Sequence, residues 1–222
     1  HNLAPQNTSN AIRIPAKLAS VRIATVKADV KMAARTLLRA DSQGMSNLAW
    51  SLASCLFKDV PLIDAISAAA ISKISEWRIQ NLANTAWAVA KLAVTNMTLI
   101  DAISEAFLAK ITEAGTQGLV NTAWAVAKLS YEDGPLLPAI SAEAIKTISV
   151  LATQDLANIA WAFATLGKTD VPLFDSLAAA ALPTISEFGP QDLSITAWSF
   201  AKLTLDNGPL LDALAAQALS TR

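Results

Sequence analysis

Nucleophilic catalysis and metal-bound water need a base or a ligand set, and histidine most often supplies either. The chain holds one histidine, His1, and one cysteine, Cys55. Ser/His/Asp and Cys/His arrangements and His-based zinc sites are therefore not expected, nor is an internal disulfide framework. Seven glycines in 222 residues leave little material for a Gly-rich phosphate loop. No enzyme, cofactor or metal site is expected. What remains are groups that bind rather than react, namely amides, lysines and tryptophans, and they recur in a fixed order.

Trp50, Trp87, Trp124, Trp161 and Trp198 stand 37 residues apart. Gln43, Gln80, Gln117, Gln154 and Gln191 precede them by seven residues, and Leu56, Leu92, Leu129, Leu166 and Leu203 follow, the first displaced by one. Around each Trp runs a polar stripe, Asn81, Asn84, Thr85, Ala88 and Lys91 in the second copy, at the spacing of one helix face. Across copies it gives the row Asn47, Asn84, Asn121, Asn158, ending in Ile195. Beside it lies Leu48, Thr85, Thr122, Ile159, Thr196, and one turn on Ser54, Lys91, Lys128, Thr165, Lys202. Amides offer donors and acceptors to base edges, and lysines suit phosphates. Asn47, Asn84, Asn121, Asn158, Thr85, Thr122, Thr196, Lys91, Lys128 and Lys202 are the candidate RNA-binding row. The plain alternative is a solvated helix face. Each Trp, flanked by small residues as in Ala86-Trp87-Ala88, is expected to wedge into the core rather than stack on bases; Trp77 falls outside the Trp period and is unassigned.

Two helical segments per copy must position these residues. Asn81-Leu-Ala-Asn-Thr-Ala-Trp-Ala-Val-Ala-Lys-Leu92 reads as a largely buried first helix, with Asn81, Asp155 and Asp192 as N-caps. Pro61, Pro135, Pro172 and Pro209 open the second, at the position where a missing N–H costs nothing. No segment shows sustained strand alternation. With 53% hydrophobic and 16% charged residues the chain can bury a large core and is not disordered, and no run of about 18 apolar residues marks a membrane span. The expected fold is all-α, a right-handed-type α-solenoid of antiparallel helix pairs with a 37-residue period. Residues 43–222 are expected to hold five pairs, and the last, ending at Arg222, reads as incomplete, the chain being a fragment or the ordered part of something longer.

Charge divides along the chain. Residues 1–44 carry seven Lys/Arg against two acids, whereas residues 45–222 carry ten against 16. Residues 1–25 read as irregular, with Pro5 and Pro15 as breakers. Residues 26–42 read as a basic capping helix on which Lys27, Lys31, Arg35 and Arg39 form a stripe at i, i+4, i+8 and i+12. A solvated cap is the first reading; docking to phosphate or an acidic partner, and the remnant of an Arg-rich targeting peptide, are the others.

The 37-residue period and Leu-Ala-Asn-Thr-Ala-Trp-Ala-Val-Ala-Lys-Leu at 82–92, with near-copies at 119–129, 156–166 and 193–203 and a weaker one at 45–56, resemble the heptatricopeptide repeat proteins, relatives of the octotricopeptide repeat family. The resemblance covers roughly residues 26–222. It implies a helical-pair array that binds single-stranded RNA or rRNA in a mitochondrion or plastid, in RNA stability, processing, translation or ribosome assembly. Protein partners in a larger assembly are expected, DNA is not. The alternative is a protein–protein scaffold subunit of a large organelle complex.

Overall fold

A computed structural model describes residues 41–132 and 134–220, and among them the regular structure is helical throughout, without strands. The first helices of five pairs are α1 (Ser42–Ser54), α3 (Ile79–Lys91), α5 (Thr116–Lys128), α7 (Thr153–Thr165) and α9 (Pro190–Lys202). The second helices are α2 (Val60–Ile71), α4 (Met97–Leu108), α6 (Leu136–Lys146), α8 (Val171–Ala181) and α10 (Gly208–Ser220). Short 3-10 turns at Ile74–Glu76, Ile111–Glu113, Ile148–Val150 and Leu182–Glu187 lead from each second helix toward the next first helix. The expected pieces at residues 1–25 and most of the basic cap, including Lys27, Lys31, Arg35 and Arg39, lie outside the described residues.

Each first helix packs on the next first helix, and each pairs with its own second helix. Second helices α2, α4, α6 and α8 also touch in series. Alanine explains the close approach of the first helices. Ala49, Ala86, Ala123 and Ala160, and one turn on Ala53, Ala90, Ala127 and Ala164, are all buried. A methyl side chain holds two backbones near each other and carries no rotamer entropy. Leu62, Leu99, Leu136, Leu173 and Leu210 seat the second helices in the same core.

The caps differ from the expected ones. Asn81, Asp155 and Asp192 stand at the third residue of α3, α7 and α9, not before them, because each helix begins two residues earlier. Asp155 instead accepts from the Ala152 N–H, and its half-buried carboxyl is held above the usual range by loss of solvent, offset in part by that bond. The regular caps belong to the second helices. Asp59, Asn96, Asp170 and Asn207 accept from the N–H of Leu62, Leu99, Leu173 and Leu210, each at 3.1 Å. Pro61, Pro172 and Pro209 follow as the second residue of the helix rather than its first, and Pro135 immediately precedes α6.

The first helices all end alike. Leu56, Ala93, Ser130, Gly167 and Thr204 take φ between 49° and 64°. In each case the next N–H reaches back to a carbonyl five residues earlier, as in Phe57 to Leu52 at 2.9 Å and Tyr131 to Val126 at 2.8 Å. These are Schellman ends, which stop a helix by one left-handed residue. Leu56 therefore matches Ala93, not Leu92, and Cys55 stands in the Leu92 column. Trp77 also finds its period. With Ala114, Leu151 and Phe188 it occupies the position before each helix entry; Trp77, Ala114 and Phe188 are buried and Leu151 half-buried, the place of a hydrophobic staple.

Candidate nucleic-acid interface

A helix face is open where no neighbour covers it, and on the first helices that face is rotated from the expected stripe. Thr85, Thr122 and Thr196 are buried, and so are Asn81 and Ala88. Asn81 is spent on packing between pairs, donating to Ser42 Oγ at 3.1 Å while its carbonyl accepts from Ser46 Oγ. Ile159 fills the Thr column in α7 and is fully buried. The threonines thus occupy an apolar slot and leave the candidate row. Their Oγ1 atoms have no hydrogen-bond partner among the described residues.

The open stripe is Gln80, Asn84, Trp87 and Lys91, at i, i+4, i+7 and i+11. Its counterparts are Gln117, Asn121, Trp124 and Lys128 in α5, then Gln154, Asn158, Trp161 and Thr165 in α7. Every Gln and Lys of this set is exposed, and Asn84, Asn121 and Asn158 are half-buried. In α1 the set is Gln43, Asn47, Trp50 and Ser54, all exposed; in α9 it is Gln191, Ile195, Trp198 and Lys202, all but Ile195 exposed. Asn47, Asn84, Asn121 and Asn158 therefore do share one surface, and Lys91, Lys128 and Lys202 lie at its margin. No ion pair engages these lysines among the described residues, where Lys146–Glu143 and Lys168–Glu132 are the pairs formed.

The tryptophans reach the core only in part: Trp87, Trp124 and Trp161 pack against its edge, and Trp50 and Trp198 do not. Trp87, Trp124 and Trp161 are half-buried, while Trp50 and Trp198 are 36% and 44% exposed. Trp50, Trp87, Trp124 and Trp161 form a ladder whose three steps are each 6.3 Å between ring centroids, Trp50–Trp87 and Trp124–Trp161 stacked and Trp87–Trp124 tilted by 36°. Lys91 Nζ lies 6.0 Å from the Trp87 ring, within reach of a cation–π attraction. Trp77, by contrast, is 1% exposed. Sequence reasoning saw the Gln column only as part of the period; its place seven residues before each Trp, two helical turns, was the signal that both share a face.

Most of the acids stand elsewhere. The first helices hold Lys91, Lys128 and Lys202 against Asp155 and Asp192. The second helices hold Asp64, Asp101, Glu105, Glu143, Asp175 and Asp212 against Lys146. Among the described residues no three His, Cys, Asp or Glu side chains gather as a metal site, and no helix is long and apolar enough to cross a membrane. The face on the first helices is a surface for contact: amides and indoles in all five copies, with a lysine in three of them.

No curated protein matches the chain. The model of the RNA-editing substrate-binding complex 6 protein family matches residues 16–221, nearly the whole length. An all-helical chain with this repeated contact face is thus a member of the RNA-editing substrate-binding complex 6 protein family.

Proposed function

We propose that this chain is a non-enzymatic, RNA-binding subunit of a larger complex, and that single-stranded RNA lies across its first helices. The reading is supported above all by the ribbon on the five first helices, which holds Gln and Trp in every copy, Asn in four and Lys in three. The family description, which speaks of an RNA-editing substrate-binding complex, supports the same class of ligand. On this reading the helix pairs form a right-handed α-solenoid of the heptatricopeptide or octotricopeptide type. Each pair offers one Asn or Gln to one base, and Lys91, Lys128 and Lys202 hold phosphates. Five pairs engage about five nucleotides when one base is met per repeat, as in other helical-repeat readers. A mitochondrion is the compartment we assign.

Fluorescence anisotropy with labelled single-stranded RNA and a matched DNA oligomer tests the proposal. Binding of RNA in preference to DNA is expected. Replacing Asn84, Asn121 and Asn158 with Ala should narrow the difference in affinity between homopolymers while leaving the melting temperature nearly unchanged. Wild-type protein that binds neither oligomer at low salt would refute the RNA reading.

A further inference from the structure

The three steps of the tryptophan ladder are equal, 6.3 Å between ring centroids from Trp50 through Trp87 and Trp124 to Trp161. Successive first helices thus present their ribbon side chains at one pitch. That pitch cannot shrink. Buried alanines already draw these helices together, Ala49, Ala86, Ala123 and Ala160 in one row and Ala53, Ala90, Ala127 and Ala164 in the next. Axes of packed helices come no nearer than about 8 Å, so a ring spacing of 6.3 Å is already a close one. A ligand that spans several copies must adapt to the protein, not the reverse.

A strand whose bases stay stacked advances about 3.4 Å per nucleotide. The ladder step is nearly twice that. Two arrangements meet the difference: one unstacked nucleotide at each step, or two stacked ones. The layout of the ribbon decides between them. Gln80, Asn84, Trp87 and Lys91 succeed one another along the axis of α3, each about one helical turn from the last, whereas α1, α3, α5 and α7 lie side by side. A strand that crosses these four helices therefore meets one Gln, one Asn and one Trp on each of them. The three are set across its path, not along it. Each step offers a base one set of contacts, and a second base stacked within the same step would have none of its own.

We propose that the ribbon takes RNA as an extended strand with its bases unstacked, one nucleotide to each 6.3 Å step, and so favours weakly stacking, pyrimidine-rich sequence. This rests on the RNA-binding reading above and names the class of strand that the same face accepts. An adenosine-rich strand stacks on itself in solution, and opening that stack opposes binding. A uridine-rich strand has little stack to open. A preference of this origin comes from stacking strength and backbone flexibility and needs no hydrogen bond to a base edge. Paired RNA keeps its bases stacked and does not fit.

The test titrates wild-type protein into fluorescein-labelled oligouridine and oligoadenosine of equal length. Oligouridine is expected to bind roughly tenfold more tightly in the cold, and the gap to narrow on warming as free oligoadenosine unstacks by itself. The state of the bound bases is read directly from the near-ultraviolet circular dichroism of unlabelled oligoadenosine, after subtraction of the protein's own signal. At saturation the stacking band should fall to the level of the heated free strand. A stacking band kept in full on the bound oligoadenosine overturns the proposal in favour of two stacked nucleotides per step, while RNA binding itself stands. Equal or tighter binding of oligoadenosine in the cold overturns it too, again with RNA binding intact. Wild-type protein that binds neither oligomer removes the RNA reading and the strand class together.

Discussion

Trp77 and Trp124 are the same residue type in opposite settings, and their truncations should rank accordingly. Trp77 is fully buried before the entry to α3, so Trp77→Ala should cost about 3–5 kcal/mol, the range for an aromatic lost from a packed core. Trp124 is half-buried between two indoles, so Trp124→Ala should cost about 2 kcal/mol, from partial burial plus two ring contacts. Urea denaturation of both variants checks the order; equal costs would mean that the ladder is as tightly enclosed as the core. Thr85 gives a second case. Its buried Oγ1 has no partner among the described residues, and an unmade bond in the interior costs about 1–3 kcal/mol. Thr85→Val removes that polar atom at similar shape, so stability should rise by up to about 1 kcal/mol and RNA affinity should not change. The Trp column was plain from the sequence, but its burial was not. Alanines on both sides of each Trp read as a core signature. In the folded chain those same alanines draw the first helices together and leave the tryptophan face at the surface. Small neighbours say how near two helices come, not which way the large one points.

At the scale of the element, four of the five Schellman ends carry strain that the sequence leaves in place. Only Gly167 is glycine; Leu56, Ala93, Ser130 and Thr204 adopt the left-handed region with a Cβ present. That conformation costs about 1–2 kcal/mol for an L-residue, while glycine loses about 0.5–1 kcal/mol more entropy on folding. Leu56→Gly and Ala93→Gly should therefore each stabilise by about 0.5–1 kcal/mol, read as a rise in the urea midpoint at constant m-value. A fall in the midpoint would place the Leu56 or Ala93 side chain in a contact worth more than the strain. The helical character of the described residues was legible in the sequence. The caps were not. Asn81, Asp155 and Asp192 have the right chemistry for caps, but Ile79, Gln80 and their equivalents already lie in the helix, and the tertiary contacts of Asn81 with Ser42 and Ser46 fix that entry. The Asx residues that do cap stand before the proline column. There the proline drew attention to the helix start and away from the side chain just ahead of it.

Across the whole molecule, the excess of acids over residues 45–222 sets a problem for any phosphate ligand, and the fold resolves it by layer. Five of the acidic side chains on the second helices, Asp64, Asp101, Glu105, Asp175 and Asp212, are exposed there, whereas the lysines of the ribbon lie on the first helices. Packed helix axes lie about 8–10 Å apart, and charges at the surface are screened over about 8 Å at physiological ionic strength. A phosphate on the first helices therefore feels its own lysines strongly and the far acids weakly. Segregation of this kind was visible in the sequence as a phase difference between the Asp64 and Lys91 columns. Which phase met solvent on which side needed the packing. Two triple variants separate the layers. Lys91, Lys128 and Lys202 changed to Gln should reduce the slope of log affinity against log salt by about two, since each single-strand phosphate contact contributes about 0.7. Asp64, Asp101 and Asp175 changed to Asn should leave that slope unaltered and shift affinity by less than about twofold at physiological salt. Anisotropy titrations from low to moderate salt measure both. A large gain in affinity from the aspartate variant, with no loss from the lysine variant, would place the strand on the second helices and not on the ribbon.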